Sequence, residues 1–343
     1  MFSSFCSALS VLFIPNSSSL PLDHIHQLPQ WFEEELEDDL KWSFAVNRVL
    51  HATTSEFQDI VLLDTKRFGK ALLLDGKLQS AEKDEFIYHE SLVHPALLLH
   101  HNPKTVFIMG GGEGSTARET LKHKSIEKVV MCDIDRDVVN FCRAHLKENQ
   151  DAFQDEKLHI IFDDAKFEIT NLRLKRAGLE GRAEKFDVII GDLSDPHEGG
   201  PCNHLYTKSF YEDVIKPKLS DNGIFVTQAG PAGILSHKVF SSIYNTVKHV
   251  FKYVIAYTAH VPSYADSCGW VLASDHPIRL DKEDLNNKIH ERVRGELRYL
   301  DGAFIVSSTV INKTIRTLMM NETHVFTEED ARFAHGRGLV GNA

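Results

Sequence analysis

The chain has 343 residues, 42% hydrophobic and 25% charged, with a formal net charge of −11. That suits a globular protein with a sizeable core, and a length for two domains or one large domain with an appendage. No apolar run approaches the ~20 residues that span a bilayer, no Lys/Arg-rich stretch offers a nucleic-acid footprint, and the acidic balance suits a cationic substrate as well as plain solubility.

Residues 1–30 open with "MFSSFCSALSVLFIPNSSSLPLD", Ser-rich and without Lys or Arg. A secretory signal needs a basic start and a transit peptide needs Arg, so a disordered leader is expected, with organelle targeting left open. From Lys41 to about Ser80 come short apolar runs, "FAVNRVLHAT", "FQDIVLLDT", "KALLLDG" and "KLQSA". Turn signals at "TKRFG" and Asp75-Gly76 separate them, which predicts a β-meander. "DEFIYHESLVHPALLLH" then predicts a helix, bent or interrupted near Pro95.

Strands and helices alternate from there: "TVFIM", "STARETLKH", "KVVMCDI", "RDVVNFCRAHL", "LHIIFDD", "KFDVIIGDL", "SFYEDVIKPKL" and "GIFVTQAG". This alternation predicts an α/β fold, a doubly wound Rossmann-like sheet with helices on both faces. "FKYVIAYTAHVP" and "WVLASD" suit late antiparallel strands, and the stretch from "EDLNNKIHERVRGEL" to "NKTIRTLMM" a helical cap. The expected organisation is a leader (1–30), a β-strand domain with linking helix (31–100) and a catalytic domain (101–343). Five scattered cysteines, Cys6, Cys132, Cys142, Cys202 and Cys268, form no C-x-x-C. They point to a reduced, cytoplasmic setting. The 19 histidines show no ligand spacing, so no metal is expected.

Ligands of such sheets bind at the carboxyl ends of the strands. Here those ends are acidic: Glu113 after the first, Asp133 and Asp135 after the second, Asp163 and Asp164 after the third, Asp192 and Asp195 after the fourth. Asp133 follows Gly114 by 19 residues, which suits a carboxylate accepting from ribose hydroxyls. Gly110, Gly112 and Gly114 spell G-x-G-x-G, closer to the nucleoside loop of the class I methyltransferase-type fold than to a dinucleotide loop. Backbone amides at a helix start attract anions. Glu113 fills that positive pole from within. It repels a pyrophosphate or the carboxylate of S-adenosylmethionine and attracts an ammonium. A nucleoside bearing an amine but no acid fits, and decarboxylated S-adenosylmethionine has that structure.

From Trp31 to about Leu339 the sequence resembles the spermidine synthase (polyamine aminopropyltransferase) family, and within it the thermospermine synthases of plants. The motifs are "LDGKLQSAEKDEFIYHE", "VFIMGGGEGSTARE", "VVMCDID", "GDLSDP", "LYTKSFY" and "VTQAGPAG". The resemblance implies transfer of an aminopropyl group from decarboxylated S-adenosylmethionine, a co-substrate, to spermidine, giving thermospermine and methylthioadenosine without a metal. It implies donor contacts from Gln58, His89, Glu113, Asp133 (ribose), and Asp164 with Ala165 (adenine). Asp192 takes the place of the general base. Tyr88 lines the acceptor tunnel, and Asp195, Gln228 and Tyr264 position the acceptor amine. Glu113 replaces the family's usual Asp, and His89 stands where many relatives have Gln. A homodimer or homotetramer is implied.

The chemistry is consistent with these residue types. Both reactants are cations, which carboxylates hold near each other. The attacking amine, with a pKa of about 10, arrives protonated, so a carboxylate must take its proton. The sulfonium is already activated, and positioning supplies several kcal/mol of the remaining rate. Tyr88 and Tyr264 can face ammonium groups. The small, neutral "QAGPAG" and the glycine-rich "HEGGPCNHLYTKSFY" depart from the commonest spermidine synthase pattern, resemble thermospermine synthases and suit an acceptor longer than putrescine. The competing readings are spermine or spermidine synthesis, a methyltransferase using intact S-adenosylmethionine, and a silent polyamine-binding protein.

Overall fold

The computed structural model describes residues 30–37, 39–170, 185–196 and 200–330. These fall into two compact units. The first holds the chain up to Glu85 together with Ser263–Ala265, and the second runs over Phe86–Pro262 and onward from Asp266. The expected leader lies outside the described residues except for Gln30, which opens the first strand.

The first unit is an antiparallel sheet of β1 (Gln30–Glu37), β2 (Leu40–Thr54), β3 (Asp59–Thr65), β4 (Gly69–Leu74) and β5 (Lys77–Ala81), in that order. Asp75 and Gly76 both take positive φ, 49° and 72°, as a two-residue hairpin turn requires. Phe44, Val46, Leu63, Phe68, Ala71 and Leu73 form the core of its buried face. The meander begins one strand earlier than the sequence pattern indicates. Glu33, Glu34, Glu35 and Glu37 hide the alternation of β1, yet it pairs with β2 from Gln30↔Val46 to Glu37↔Leu40. Glu34 also accepts from the Leu78 amide at 3.1 Å. The returning segment is tied in by Trp42 Nε1 donating to the Ser263 carbonyl (3.0 Å) and Ser263 N donating to Asp84 (2.7 Å).

The second unit includes helix α1 (Glu85–Leu99) from Phe86 onward. Its sheet comprises β6 (Thr105–Gly110), β7 (Lys128–Asp133), β8 (Leu158–Phe162), β9 (Phe186–Asp192), β10 (Leu219–Pro231), β11 (Tyr253–Val261) and β12 (Asp266–Ser274), in the order β11-β12-β10-β9-β6-β7-β8. The strands from β10 to β8 pair in parallel, and β12 runs antiparallel to both β10 and β11. This is the Rossmann-like, class I methyltransferase-type sheet that the alternation predicts. Connecting helices are α2 (Ser115–Leu121), α3 (Arg136–His145), α4 (Gln150–Gln154), α5 (Ala165–Thr170) and α6 (Lys238–Lys248), with α7 (Lys282–Arg292), α8 (Gly302–Ser308) and α9 (Lys313–Asn321) at the C-terminal end. The central strands are buried on both faces, so they read as unbroken apolar runs such as Val106, Phe107, Ile108 and Met109. The strand order reverses between β6 and β9, where Gly110 pairs with Asp192. That reversal opens the crevice in which doubly wound sheets hold ligands.

Helix α1 runs through Pro95 without the expected interruption. Proline has no N–H for the carbonyl four residues back, here that of Ser91. The Tyr257 hydroxyl supplies the missing donor at 2.9 Å. A tertiary contact thus replaces the lost helix bond.

Candidate active site

The loop after β6 is built around its glycines. Gly110, Gly111 and Gly114 have φ of 74°, 76° and 93°, a region that side chains with a β-carbon rarely enter. At Gly112 the constraint is space, since a β-carbon there would lie 2.6 Å from Asp133 Oδ2. Gly112 N donates to that same oxygen at 2.9 Å, and Asp135 N donates to Asp133 Oδ1 at 2.9 Å. Two amides therefore aim the Asp133 carboxylate across the end of β7. Burial pushes its pKa up to about 6 against the pull of those amides, with the charges of Asp135 and Asp192 adding to the rise.

The other acids divide into structural and available groups. Asp135 caps α3 by accepting from Asp137 N (3.0 Å) and Val138 N (3.2 Å). Asp164 accepts from Phe167 N at 3.0 Å in the first turn of α5, beside buried Ala165. Its second oxygen meets His204 Nε2 at 2.9 Å, and this partner holds the carboxyl below its usual range. Asp163 Oδ1 accepts from Asp164 N. Glu113 Oε1 accepts from the Ser115 hydroxyl at 2.6 Å. Buried Asn149 then holds both the Glu113 carbonyl and Ser115 Oγ, each at 3.0 Å. His89 and Glu113 bring a ring nitrogen and a carboxylate oxygen within 4.8 Å.

Asp192 ends β9 with both oxygens engaged. Tyr88, from α1, donates to Oδ1 at 3.1 Å, and Thr116, from α2, donates to Oδ2 at 2.6 Å. Tyr88 packs against His89 and Trp270 with ring centroids 5.0 and 5.6 Å away. Downstream, buried Gln228 donates to the Leu193 carbonyl (2.8 Å) and to the Tyr206 hydroxyl (2.6 Å), and accepts from Gly230 N (2.7 Å). Tyr206 donates in turn to the Ser194 carbonyl at 3.0 Å. The amide of Gln228 is thereby committed to the segment that leads from Asp192 to Asp195.

The structure thus gathers Tyr88, His89, Glu113, Asp133, Asp164, Ala165, Asp192, Asp195 and Gln228 in the second unit. Gln58 and Tyr264 belong to the first. Gln58 closes a turn with Ser55, whose hydroxyl donates to its carbonyl at 3.2 Å. The Tyr264 hydroxyl donates to the Gln79 carbonyl. Sequence reasoning missed Thr116, Asn149, His204 and Tyr206. "STARE" and "LYTKSFY" contain two of them, but no spacing rule marks a helix hydroxyl or a buried phenol as part of a site.

A class I methyltransferase-type sheet with carboxylates in its nucleoside loop and at the neighbouring strand ends defines a nucleoside-dependent transferase suited to cationic reactants. Residues 85–282 match the spermine/spermidine synthase domain and residues 30–82 the spermidine synthase tetramerisation domain. The chain belongs to the spermine/spermidine synthase family. It is 62% identical to the thermospermine synthase ACAULIS5 of Arabidopsis thaliana over 95% of this chain and 94% of that one. It is 42% identical to a polyamine aminopropyltransferase of Sulfurisphaera tokodaii over 83% of this chain and 92% of the relative. Among solved structures, the spermidine synthase of Thermotoga maritima superimposes with a TM-score of 0.76 at 28% identity, covering 86% of this chain and 97% of that one. A spermidine synthase bound to the transition-state analogue AdoDATO does so with 0.76 at 29%, covering the same shares. Among the described residues, no helix is long and apolar enough to cross a membrane.

Proposed function

We propose that this chain transfers the aminopropyl group of decarboxylated S-adenosylmethionine to spermidine, forming thermospermine and methylthioadenosine. The observation that carries this reading is Glu113, a carboxylate set in the nucleoside loop and fixed by Ser115. It favours a donor with an ammonium and no acid group. Asp133 accepts from the ribose hydroxyls, Asp164 and Ala165 meet the adenine, and Gln58 and His89 complete the donor contacts. Asp192 removes a proton from the acceptor amine. The freed lone pair attacks the carbon beside sulfur, the C–S bond breaks, and its electrons return to sulfur as the neutral thioether of methylthioadenosine. Tyr88, Asp195, Gln228 and Tyr264 place the acceptor, and Gln228 does so by bracing the Leu193 carbonyl directly and the Ser194 carbonyl through Tyr206. The sulfonium is itself the electrophile, so the step needs no metal or prosthetic group.

The match of residues 30–82 to a spermidine synthase tetramerisation domain supports a homotetramer, with a homodimer as the smaller assembly. Cys132, Cys142, Cys202 and Cys268 are free thiols, which supports a reducing, cytoplasmic setting.

The test is product analysis after incubation with the decarboxylated donor and putrescine, spermidine or spermine in turn, with chromatography that resolves spermine from thermospermine. Spermidine should react best and give mainly thermospermine. Faster turnover of putrescine would overturn the choice of acceptor, and methyl transfer from intact S-adenosylmethionine would overturn the reaction class.

A further inference from the structure

The Asp192 carboxylate does not stand alone at the end of β9. Thr116 is fully buried, lies in the first turn of α2 and donates its hydroxyl to Asp192 Oδ2 at 2.6 Å. Tyr88 donates to the other oxygen at 3.1 Å. The carboxylate is thus held from two helices, one contact short and the other long. The Asp192 carbonyl also accepts from Gly111 N at 3.1 Å, so its backbone is fixed to the same loop that leads into α2. We propose that Thr116 is a positioning residue for Asp192: its hydroxyl sets the plane of the carboxylate that receives the amine proton. This rests on the transfer reaction proposed above.

Thr116→Val keeps the side-chain shape and the charges around Asp192, and removes only the hydroxyl that holds Oδ2. The lost orientation should slow single-turnover transfer about tenfold.

The experiment compares intact wild type with Thr116→Val, Thr116→Ala and Thr116→Ser in two readouts: the single-turnover rate with decarboxylated donor and spermidine, and the KM for spermidine. Methylthioadenosine affinity reports that each variant is folded. The inference expects Val and Ala to lose about tenfold in rate with KM nearly unchanged. Ser should restore the rate, and methylthioadenosine affinity should stay within about twofold because the nucleoside contacts lie elsewhere. An unchanged rate in Val and Ala, or a Ser variant as impaired as Val, overturns the inference. A wild-type protein that makes no methylthioadenosine would sink the transfer reading instead.

Discussion

Carboxylates in one crevice can be told apart by what already holds their oxygens. Glu113 is fixed by the Ser115 hydroxyl and sits on a loop whose amides favour an anion. Glu113→Gln keeps the shape and removes the charge. Affinity for the decarboxylated donor should fall by roughly 1.5–3 kcal/mol, the value of a charge-assisted contact, while methylthioadenosine, which lacks the ammonium, should bind nearly as before. Calorimetry with both ligands checks this, and an equal loss would show that Glu113 does not read the amine. Asp133 differs because burial raises its pKa to about 6 in the unliganded protein. In the proposed donor site, ribose hydroxyls would donate to its ionised form, so binding would favour deprotonation. Methylthioadenosine affinity should therefore be flat above pH ~6 and fall toward tenfold per unit below it. Asp133→Asn should bind more weakly at neutral pH and lose that slope, and a slope that survives in Asp133→Asn would assign it to another group.

At the scale of elements, α1 carries Tyr88 and His89 in its first turns and continues through a proline. The Ser91 carbonyl, deprived of an amide by Pro95, is satisfied by the buried Tyr257 hydroxyl at 2.9 Å. Tyr257→Phe leaves that carbonyl without its donor and should cost about 1–3 kcal/mol in urea unfolding. Pro95→Ala restores an N–H four residues along, so the same Tyr257→Phe change should cost clearly less in the Pro95→Ala background. Equal costs in the two backgrounds would mean that the phenol does not compensate for the proline.

At the scale of the whole molecule, the first unit presents apolar side chains to solvent. Trp31, Leu40, Val49 and Phe57 are each about half exposed. A cavity of about 420 Å³ lined by Trp31, Trp42, Phe44 and Phe68 opens in the same unit. Isolated exposed apolar residues are ordinary, but several within one small sheet suit burial by another copy. Trp31→Glu should lower the assembly mass measured by light scattering, while methylthioadenosine affinity is retained. An unchanged mass would move the interface elsewhere on this sheet.

The amino-acid sequence by itself determined whatever depends on neighbours along the chain. The period of the strands, the glycines after β6 and the acids at the strand ends are local patterns, and they sufficed for the sheet type and for the glycine turn after β6. The tertiary structure decided what depends on partners far apart in sequence. Asp192 meets a hydroxyl 76 residues away, and α1 is sustained by one 166 residues away. β1 becomes a strand because β2 supplies the hydrogen bonds and β5 the amide for Glu34, although its glutamates mask the pattern. Gln228, within β10, is picked out by the family resemblance, but that its amide braces the Leu193–Ser194 backbone together with Tyr206 follows only from packing. Periodicity records which face a residue presents. Which donor waits there is set by the fold.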